Sequence, residues 1–324
     1  MNNLVAITIG DINGIGIDIL IRSWKKGRIK NIILVTNIQI IKKYLIKKNI
    51  KIKTNIFNLE NNNFNFVKNK INIFSYKTKN LEENTFKSLK YAYKLCIEKK
   101  CIGLITLPLR KDIIKKTIDK KFIGHTEYFQ KLDKKKYVNM ILFHNKIIVS
   151  PLTTHIDVKS ISKKISNKLF LFNQIYNLNR SLIYDFNIKK PKIIISGLNP
   201  HAGENSQIGT EEKKIISPVI KKLQKTGIII KGPYSADSIL IKKNLEKFDC
   251  FIFFYHDQAL IPFKFISKFS GVNYTSNLNI IRTSPDHGTA YNLIGSKNIS
   301  DKSFLNSYKL IKKIYYNRKL NVKT

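Results

Sequence analysis

Three histidines follow short apolar runs that are typical of buried β-strands. His155 ends the run in KIIVSPLTTHID, His201 lies in IIISGLNPHAGENSQIGTEE, and His256 ends the run in CFIFFYHDQ. The chain has six histidines, so half of them share one structural position, which favours a common role. Three neutral imidazoles and one open position are a common ligand set for a catalytic divalent metal. The alternative interpretation is that each histidine caps a nearby helix or turn.

The long intervals between these histidines exclude a zinc finger and a single-helix H-E-x-x-H site. The fold, or a second subunit, therefore has to bring the ligands together. In an open α/β sheet, ligands bind beyond the carboxyl ends of the strands, where this chain has Asn199, His201, Gly203 and Glu204. Because Pro200 and Gly203 restrict the path of this loop, the imidazole of His201 is expected to point in a fixed direction.

Strand and helix patterns alternate along the chain, which predicts an α/β fold. Leu4 to Ile9 is predicted to be a strand that leads through a glycine-rich turn into a helix. That turn is a poor dinucleotide fingerprint, because G-x-x-x-G-x-G differs from G-x-G-x-x-G and no acidic residue closes the next strand. Another helix is predicted from Gln207 to Thr226, with Glu211 and Glu212 near its start. At 324 residues the chain is expected to form two domains.

Further candidate residues lie at the ends of predicted elements. Thr126 is expected to cap a helix that starts with Glu127, which leaves His125 at a helix N-terminus, a location that favours anions. Arg282 is expected to end an apolar strand, and Lys264 is expected in a loop or strand end beyond YHDQ. The alternatives are a plain capping turn for His125 and Thr126, and a solvated surface charge for Arg282 and Lys264.

Two acidic residues allow several roles. Asp237 and Asp286 could orient a metal ligand or act as the catalytic base, but both could equally be helix caps. The sequence does not decide between these roles.

The formal net charge of +38 and the isoelectric point near 10.0 are consistent with a nucleic-acid-binding protein. However, Arg occurs at only six positions, although Arg is the preferred reader of phosphates and base edges. The lysines are spread along the chain among Ile and Asn, as expected for a strongly AT-rich genome. We therefore expect solvated lysine faces and no specific nucleic-acid partner; a clustered Arg-rich face would favour the alternative.

No uninterrupted apolar segment approaches the roughly 20 residues of a membrane span. The start MNNLVAITIGD runs directly into a predicted strand, without the pattern of a signal peptide. The three cysteines form no metal motif or disulfide framework. These features predict a cytoplasmic protein without a membrane partner.

Several segments occur in a specific order: TIGDINGIGID, TLPLRK, GHTEYF, TTHIDV, SGLNPHAGENSQIGTEE, GPYSAD, YHDQALIPFK, GVN and IIRTSPDHGTA. Together they resemble the 4-hydroxythreonine-4-phosphate dehydrogenase family of pyridoxal phosphate biosynthesis, over nearly the whole chain. The combination of NPHAGE, YHDQ and RTSPDHGTA is highly specific. The chain departs from the family at Ile9, Ile12, Asp18 and Arg110, which puts loop rigidity and affinity in question but removes no site residue.

The resemblance implies two α/β/α domains like those of isocitrate and isopropylmalate dehydrogenases, with the active site in the interdomain cleft. We expect residues 1–130 and 291–324 to form the first domain. Residues 131–290 are expected to form the second, which carries the metal ligands and the dimer interface. The resemblance also implies a homodimer whose active site lies at the subunit interface.

The resemblance also implies roles for individual residues. The metal ligands would be His155, His201 and His256, holding one divalent ion per site, zinc, cobalt or magnesium. The other implied residues are, for substrate binding, His125, Thr126, Lys264, Asn273 and Arg282; for the adenosine end of NAD or NADP, Asp286, His287, Gly288, Thr289 and Ala290; and for catalysis, Lys264 and Asp237.

The reaction implied by the resemblance is the NAD-dependent oxidation of the C3 hydroxyl of 4-phosphooxy-L-threonine. The product, 2-amino-3-oxo-4-(phosphooxy)butanoate, is a β-keto acid that loses CO2 to give 3-amino-2-oxopropyl phosphate. The alternative within the same family is a metal-dependent dehydrogenase of another phosphorylated hydroxy acid.

Overall fold

The computed structural model describes residues 3–57, 65–296 and 299–321, and the fold is mixed α/β. The chain divides into two compact units. Unit 1 comprises the chain up to Lys131 together with Asn279–Tyr315, and unit 2 comprises Leu132–Leu278 together with the chain from Tyr316. The expected division differs from this one in two segments. Residues 279–290 belong to unit 1 rather than to the second domain, and the chain from Tyr316 belongs to unit 2 rather than to the first.

The described part of unit 1 contains a fully parallel sheet. Its strands are β1 (Val5–Thr8), β2 (Ile32–Val35), β3 (Thr54–Phe57), β4 (Ile71–Phe74), β5 (Gly103–Ile105) and β12 (Arg282–Pro285). Their order in the sheet is β3-β4-β2-β1-β5-β12. All residues of β1, β2, β4 and β5 are buried, as expected for parallel strands that are covered on both faces. The pairing of β12 with β5 explains why residues 279–290 join unit 1.

Helices connect these strands and cover the sheet. They are α1 (Ile15–Lys25), α2 (Ile38–Lys47), α3 (Leu81–Ile97), α4 (Lys111–Thr117), α5 (His125–Leu132) and α11 (Lys302–Asn321), whose last residues belong to unit 2. Asn side chains cap two of them, because Asn37 accepts a hydrogen bond from Gln39 N and Asn80 accepts one from Glu83 N. None of the helices in the described ranges is both long and apolar enough to cross a membrane.

The sheet of unit 2 mixes two kinds of pairing. Its strands are β6 (Asn139–His144), β7 (Ile147–Pro151), β8 (Lys192–Ser196), β9 (Ile229–Tyr234), β10 (Cys250–Phe253) and β11 (Val272–Ser276). Their order is β11-β6-β7-β10-β8-β9. The pairs β11–β6 and β6–β7 are antiparallel, whereas β7, β10, β8 and β9 pair in parallel. The carboxyl ends of β7, β10 and β8 therefore lie side by side at one edge.

The helices of unit 2 pack on this sheet. They are α6 (Lys159–Ser166), α7 (Lys168–Tyr184), α8 (Ser217–Lys225), α9 (Lys242–Lys247) and α10 (His256–Ser267). One apolar cluster joins β6, β7 and β10 to α10 through Leu142, Val149, Phe251 and Phe263. This cluster fixes α10 against the strands that precede the candidate metal-binding loops.

An ion pair between the buried Asp185 and the half-buried Arg318 attaches the end of α11 to unit 2. Arg318 Nε donates to Asp185 Oδ1 at 2.7 Å, and Tyr274 OH donates to Asp185 Oδ2 at 2.6 Å. Arg318 Nη2 also donates to the Tyr274 hydroxyl at 3.0 Å, and Asn317 Nδ2 donates to the carbonyl of Asp185 at 2.7 Å. Burial, together with the Asp185 carboxylate, raises the pKa of Tyr274 well above its usual value, so its hydroxyl stays protonated as a donor. This network explains why the chain from Tyr316 belongs to unit 2.

Replacing Arg318 with Ala should therefore leave the Asp185 carboxylate buried without its cation. We expect the free energy of unfolding to fall by about 3–5 kcal/mol, measured by urea denaturation. The control is Arg180→Ala, which removes an exposed guanidinium that lies over the ring of Tyr184. Equal losses in the two variants would show that the Asp185 network contributes no more than a surface contact.

Candidate functional site

The three histidines follow three neighbouring parallel strands of unit 2. His155 lies beyond β7, His201 lies beyond β8, and His256 lies shortly after β10 as the first residue of α10. Since β10 pairs with both β7 and β8 in parallel, all three loops leave the same edge of the sheet. The position inferred from the sequence is thus the one that the strand order produces.

Hydrogen bonds tie these three strand ends together. Thr153 donates to the carbonyl of Phe254 from its backbone N at 3.1 Å and from its hydroxyl at 2.7 Å, which joins the His155 loop to the end of β10. Gln258 joins the next pair, because its Oε1 accepts from Phe254 N at 2.9 Å and its Nε2 donates to the Gly197 carbonyl at 3.0 Å. Neither Thr153 nor Gln258 could be singled out from the sequence, since nothing in their spacing indicates these long-range contacts.

Two of the histidine rings already lie close together. The ring centroids of His155 and His256 are 5.9 Å apart. Imidazoles that bind one ion at about 2.0–2.1 Å can have centroids up to roughly 6 Å apart, so this pair fits a shared metal. Nδ1 of His256 lies 2.6 Å from Asp257 Oδ1. An ionised carboxylate only accepts, so Nδ1 donates and Nε2 keeps its lone pair for a metal.

His201 lies on an unusual left-handed turn. From His201 to Ser206 the φ angles are 51°, 54°, 85°, 41°, 56° and 77°, and only Gly203 among these residues lacks a Cβ. Left-handed backbone costs roughly 1–2 kcal/mol for each such residue, so neighbouring contacts have to hold this turn. The expected helix from Gln207 was wrong at its start: Gly209 has a φ of 79°, and regular α-helix begins only at Ser217. Within the described ranges, no three His, Cys, Asp or Glu side chains of one chain are already arranged around a metal position.

Unit 1 contains a buried cationic cluster around Arg282. Arg282 begins β12 rather than ending a strand, and its side chain is only 2% exposed, which excludes a solvated surface charge. Its Nε and Nη2 donate to the hydroxyl of Thr106 at 3.0 and 2.6 Å. Burial lowers the pKa of Arg282 to about 9, although the nearby Glu127 carboxylate opposes the shift.

His125 and Lys111 belong to the same cluster. Burial lowers the pKa of His125 well below 6.5, and the charges of Arg282 and Lys111 lower it further. Burial also lowers the pKa of Lys111. Within the part of the chain that the structure describes, His125 Nε2 is buried and has no hydrogen-bond partner. Such a nitrogen, beside two cations, is suited to an anionic ligand.

One expectation about this cluster changes, and one of its residues was missed in the sequence. Helix α5 begins at His125, so Thr126 lies inside its first turn and is not the cap that the sequence suggested. Lys111 was not singled out from the sequence, where it resembles the other lysines of a lysine-rich chain. Lys111 Nζ and Glu127 Oε2 both approach the position that a Cβ on Gly124 would occupy, at 3.3 and 3.0 Å. A side chain at Gly124 would therefore displace them.

The remaining candidates of unit 2 lie in different surroundings. Lys264 is inside α10, not in a loop or strand end, and its Nζ lies 5.3 Å from the ring centroid of Phe269. Asn273 is half-buried on β11, and its Oδ1 has no hydrogen-bond partner among the described residues. Asp237 is exposed in the turn after β9.

The loop from Asp286 to Ala290 follows β12 in unit 1. It leads into a short 3₁₀ turn, Tyr291–Leu293. Asp286 N donates to Ser303 Oγ at 2.7 Å, and Ile15 N donates to the carbonyl of Thr289 at 3.0 Å. His287 Nδ1 lies 3.0 Å from the Gly288 carbonyl and donates to it. The loop is therefore held against the glycine-rich turn that precedes α1.

Every arginine in the chain has an intramolecular contact. The contacts are Arg22 to the carbonyls of Ser296 and Ile299, Arg28 to Asp301, Arg110 to Asp112, Arg180 to the Tyr184 ring, Arg282 to Thr106, and Arg318 to Asp185. The guanidinium groups thus contact other groups of the same chain. The arrangement differs from the clustered Arg-rich face that would favour nucleic-acid binding.

The environment of His125 makes stability depend on pH. In the folded state the pKa of His125 lies below the 6.5 of an exposed histidine. Below pH 6.5 the unfolded chain therefore binds more protons than the folded chain, and the free energy of unfolding decreases as the pH is lowered. Relative to His125→Asn, the wild-type chain should lose up to about 1.4 kcal/mol per pH unit below 6.5, until the folded-state pKa is reached. Urea unfolding at several pH values measures this difference. A gap between the two proteins that stays constant with pH would contradict the prediction.

The sequence of this chain is similar to those of known proteins of one family. Residues 28–311 match the family described as "Pyridoxal phosphate biosynthetic protein PdxA". The chain is 37% identical over 310 residues to 4-hydroxythreonine-4-phosphate dehydrogenase of Sulfurihydrogenibium sp. (strain YO3AOP1), covering 92% of this chain and 94% of that protein. It is 35% identical over 315 residues to the enzyme of the same name from Wigglesworthia glossinidia brevipalpis, covering 92% of each.

Solved structures of enzymes with the same name have a similar fold. The crystal structure of 4-hydroxythreonine-4-phosphate dehydrogenase from Klebsiella pneumoniae has a TM-score of 0.83 at 27% identity, covering 97% of this chain and 98% of that one. Isocitrate dehydrogenase from Methylococcus capsulatus has a TM-score of 0.51 at 9% identity, covering 98% of this chain and 87% of that one, which shows a shared fold alone. The chain therefore belongs to the PdxA family of pyridoxal phosphate biosynthetic proteins, whose named relatives are dehydrogenases.

Proposed function

We propose that this chain catalyses the NAD-dependent oxidation of 4-hydroxythreonine-4-phosphate in pyridoxal phosphate biosynthesis. The observation that carries the proposal is the placement of His155, His201 and His256 after adjacent parallel strands, in a member of this family. A metal held at that edge suits the oxidation of an amino alcohol, because a Lewis acid stabilises a developing alkoxide.

The cluster around Arg282 supports a phosphorylated substrate. Arg282 and Lys111 supply two positive charges, whereas Glu127 supplies one negative charge. The cluster therefore has an excess positive charge that an anion would neutralise. Thr126 lies in the first turn of α5, where backbone N–H groups and the helix dipole favour negative charge. A phosphate dianion would also bring acceptors to the buried Nε2 of His125. We assign the phosphate group to these residues.

The proposed metal ligands are His155, His201 and His256. When bound, a divalent ion would acidify the substrate hydroxyl and polarise the product ketone. Nitrogen ligands favour zinc or cobalt over magnesium in affinity. Asp257 has a supporting role, because it accepts from Nδ1 of His256 and thereby directs Nε2 toward the ion. Lys264 and Asn273 are proposed to bind the substrate within unit 2.

The proposed cofactor is NAD or NADP, bound beside the loop from Asp286 to Ala290. A cavity of about 360 Å³ lies next to this loop and is lined by Tyr291, Asp11, Glu82 and Arg110, among others. Its aromatic and apolar walls suit a nucleoside, and its carboxylates suit ribose hydroxyls. His287, Gly288 and Thr289 are proposed to bind the same end of the cofactor.

The overall chemistry is a two-electron oxidation. Bound NAD would accept the hydride released when the C3–H bond of the substrate breaks, and Lys264 and Asp237 are the proposed candidates for the base that takes the hydroxyl proton. The resulting β-keto acid loses CO2 to give 3-amino-2-oxopropyl phosphate. Cations near the phosphate hold the substrate in place while these bonds change.

We also propose that the chain works as a homodimer. Helix α10 begins with His256 and exposes two apolar side chains along one face, Ile261 and Phe265, which are 70% and 85% exposed, and Phe269 just beyond the end of the helix is 60% exposed. Side chains four residues apart share a helix face, and an exposed apolar face of this kind favours association. A second copy of the chain is the proposed occupant, and a ligand from that copy would complete the metal site.

Phe265→Glu should therefore convert the dimer into a monomer and weaken metal binding with it. Sedimentation equilibrium gives the mass, and competition with a chromophoric chelator gives the metal affinity. Ile46→Glu is the matched control, because Ile46 is 80% exposed on α2 in unit 1 and should change neither quantity. A Phe265→Glu protein that remained dimeric would exclude this face as the interface.

The function is tested by NADH formation from 4-hydroxythreonine-4-phosphate, with and without a chelator. Activity should require the metal, and Arg282→Lys should lower kcat/KM at least about tenfold, equivalent to ~1.4 kcal/mol, because Lys lacks the planar two-pronged donor. Arg282 is also bonded in the protein, so we expect a lower melting temperature as well. Thr106→Val separates the two effects, because it removes the same hydrogen bonds but keeps the cation.

Two results would contradict this proposal. Turnover of another phosphorylated hydroxy acid, but not of this substrate, would assign the chain a different dehydrogenase reaction. A kcat/KM that falls equally in Thr106→Val and Arg282→Lys would place Arg282 in the scaffold rather than in the substrate site.

A further inference from the structure

We infer that Glu212 is a positioning residue for the proposed metal ligand His201. The inference rests on the proposed metal site and assigns a role to a carboxylate that does not itself bind the ion. Its basis is the contact between one buried side chain and the left-handed turn that carries the histidine.

The carboxylate of Glu212 holds the backbone that enters this turn. Its Oε1 accepts from the backbone N of Leu198 and of Asn199, both at 2.8 Å, and its Oε2 accepts from Asn199 Nδ2 at 2.9 Å. Glu212 is only 6% exposed. Hydrogen bonds from amides to an ionised, buried acceptor are stronger than neutral ones, so the path of the chain just before His201 is fixed by this group.

The turn itself packs directly on the same carboxylate. A Cβ built on Gly203 would lie 2.8 Å from Glu212 Oε2, and one built on Gly197 would lie 3.2 Å from Oε1 and 2.7 Å from the Cα of Ala202. These distances leave no room for a side chain at either glycine. Glu212 is therefore enclosed between the two residues that flank the loop segment from Leu198 to Ala202.

The turn needs such support because its backbone is left-handed over six consecutive residues. Residues in this conformation persist only where the surroundings over-determine them. Glu212 is also the first residue of a π-helical turn, Glu212–Ile216, that leads into α8, and π-helical turns occur frequently at functional sites. The turn and the helix are thus joined through one side chain.

The neighbouring Glu211 provides a matched comparison. Its Oε2 accepts from the same Asn199 Nδ2 at 2.9 Å, and its Oε1 accepts from Ser162 Oγ at 2.7 Å. It is half-buried and, unlike Glu212, has no contact to the backbone N of Leu198 or Asn199 among the described residues. Removing its charge should therefore disturb His201 much less.

The experiment is a titration of the metal-free protein with Co²⁺, followed by the visible absorption of the bound ion. Glu212→Gln replaces one acceptor oxygen with a donor that opposes the amides, so the Co²⁺ dissociation constant should rise about 10–100-fold. The spectrum at saturation should also change, because His201 no longer holds its position. Glu211→Gln should keep the wild-type spectrum and show a clearly smaller change in affinity.

Thermal unfolding, followed by circular dichroism, gives the melting temperature of each variant, and the Co²⁺ titrations are done well below it. At such a temperature a variant that is only less stable keeps the wild-type Co²⁺ absorption spectrum. If Glu212→Gln does not fold, Gly203→Ala tests the same contact, because its Cβ would push against Oε2. Wild-type Co²⁺ affinity and spectrum in a folded variant of either kind would overturn the role of Glu212 alone. A wild-type chain that binds no Co²⁺ would overturn the proposed metal site and this inference together.

Discussion

The parallel pairing of β10 with β7 and β8 is the constraint on which the proposed metal site of unit 2 depends. Residues far apart in sequence meet because parallel strands end at the same edge. Pairing alone aligns the strand ends but leaves the loops undetermined. Thr153 and Gln258 supply what is missing, because each bonds to Phe254 and so joins a neighbouring strand end to that of β10. The histidines therefore extend from a rigid edge rather than from independent loops.

Unit 1 depends on a different balance, the burial of positive charge. Transferring a guanidinium from water into the protein costs several kcal/mol even after relaxation, and the lowered pKa of Arg282 reflects this cost. Thr106 and Glu127 offset part of it. An anionic ligand would offset more, and a ligand that binds only the folded chain stabilises that chain in proportion to its affinity. If the cluster binds the substrate phosphate, as we propose, the buried charge of Arg282 costs stability in the empty protein that the ligand would restore.

Much of the fold could be predicted from the sequence, because buried parallel strands are read as continuous apolar runs. The runs before Gly10, Gly197 and Tyr255 all proved to be strands. Assignments that depended on local punctuation were less successful. Lys264 was expected in a loop or strand end but lies inside α10, a helix that also contains Pro262, although proline usually disrupts a helix interior.

The positioning residues were harder to find, for a physical reason. Two acidic residues near a helix start are explained equally well by the helix dipole, and the sequence does not show that Glu212 reaches back to Leu198 and Asn199. Gln258 is similar, since its two partners lie just beyond the ends of different strands. Periodicity reveals which face of an element is buried, but it does not reveal which backbone amide a buried polar group will meet.

The scarcity of arginine makes the six that remain informative. Where a charge only has to be solvated, Lys replaces Arg with little loss, and this chain has lysine on exposed faces throughout. Arg282 and Arg318 lie where a lysine would not suffice, because two guanidinium nitrogens of Arg282 reach one hydroxyl and those of Arg318 reach a carboxylate and a phenol. One of these arginines holds a helix end in place, and the other lies in the proposed anion site. In a lysine-rich chain, an arginine that follows an apolar run is therefore a more specific indication of a structural or ligand-binding role than a lysine, and this is the basis on which Arg282 is proposed to bind the substrate.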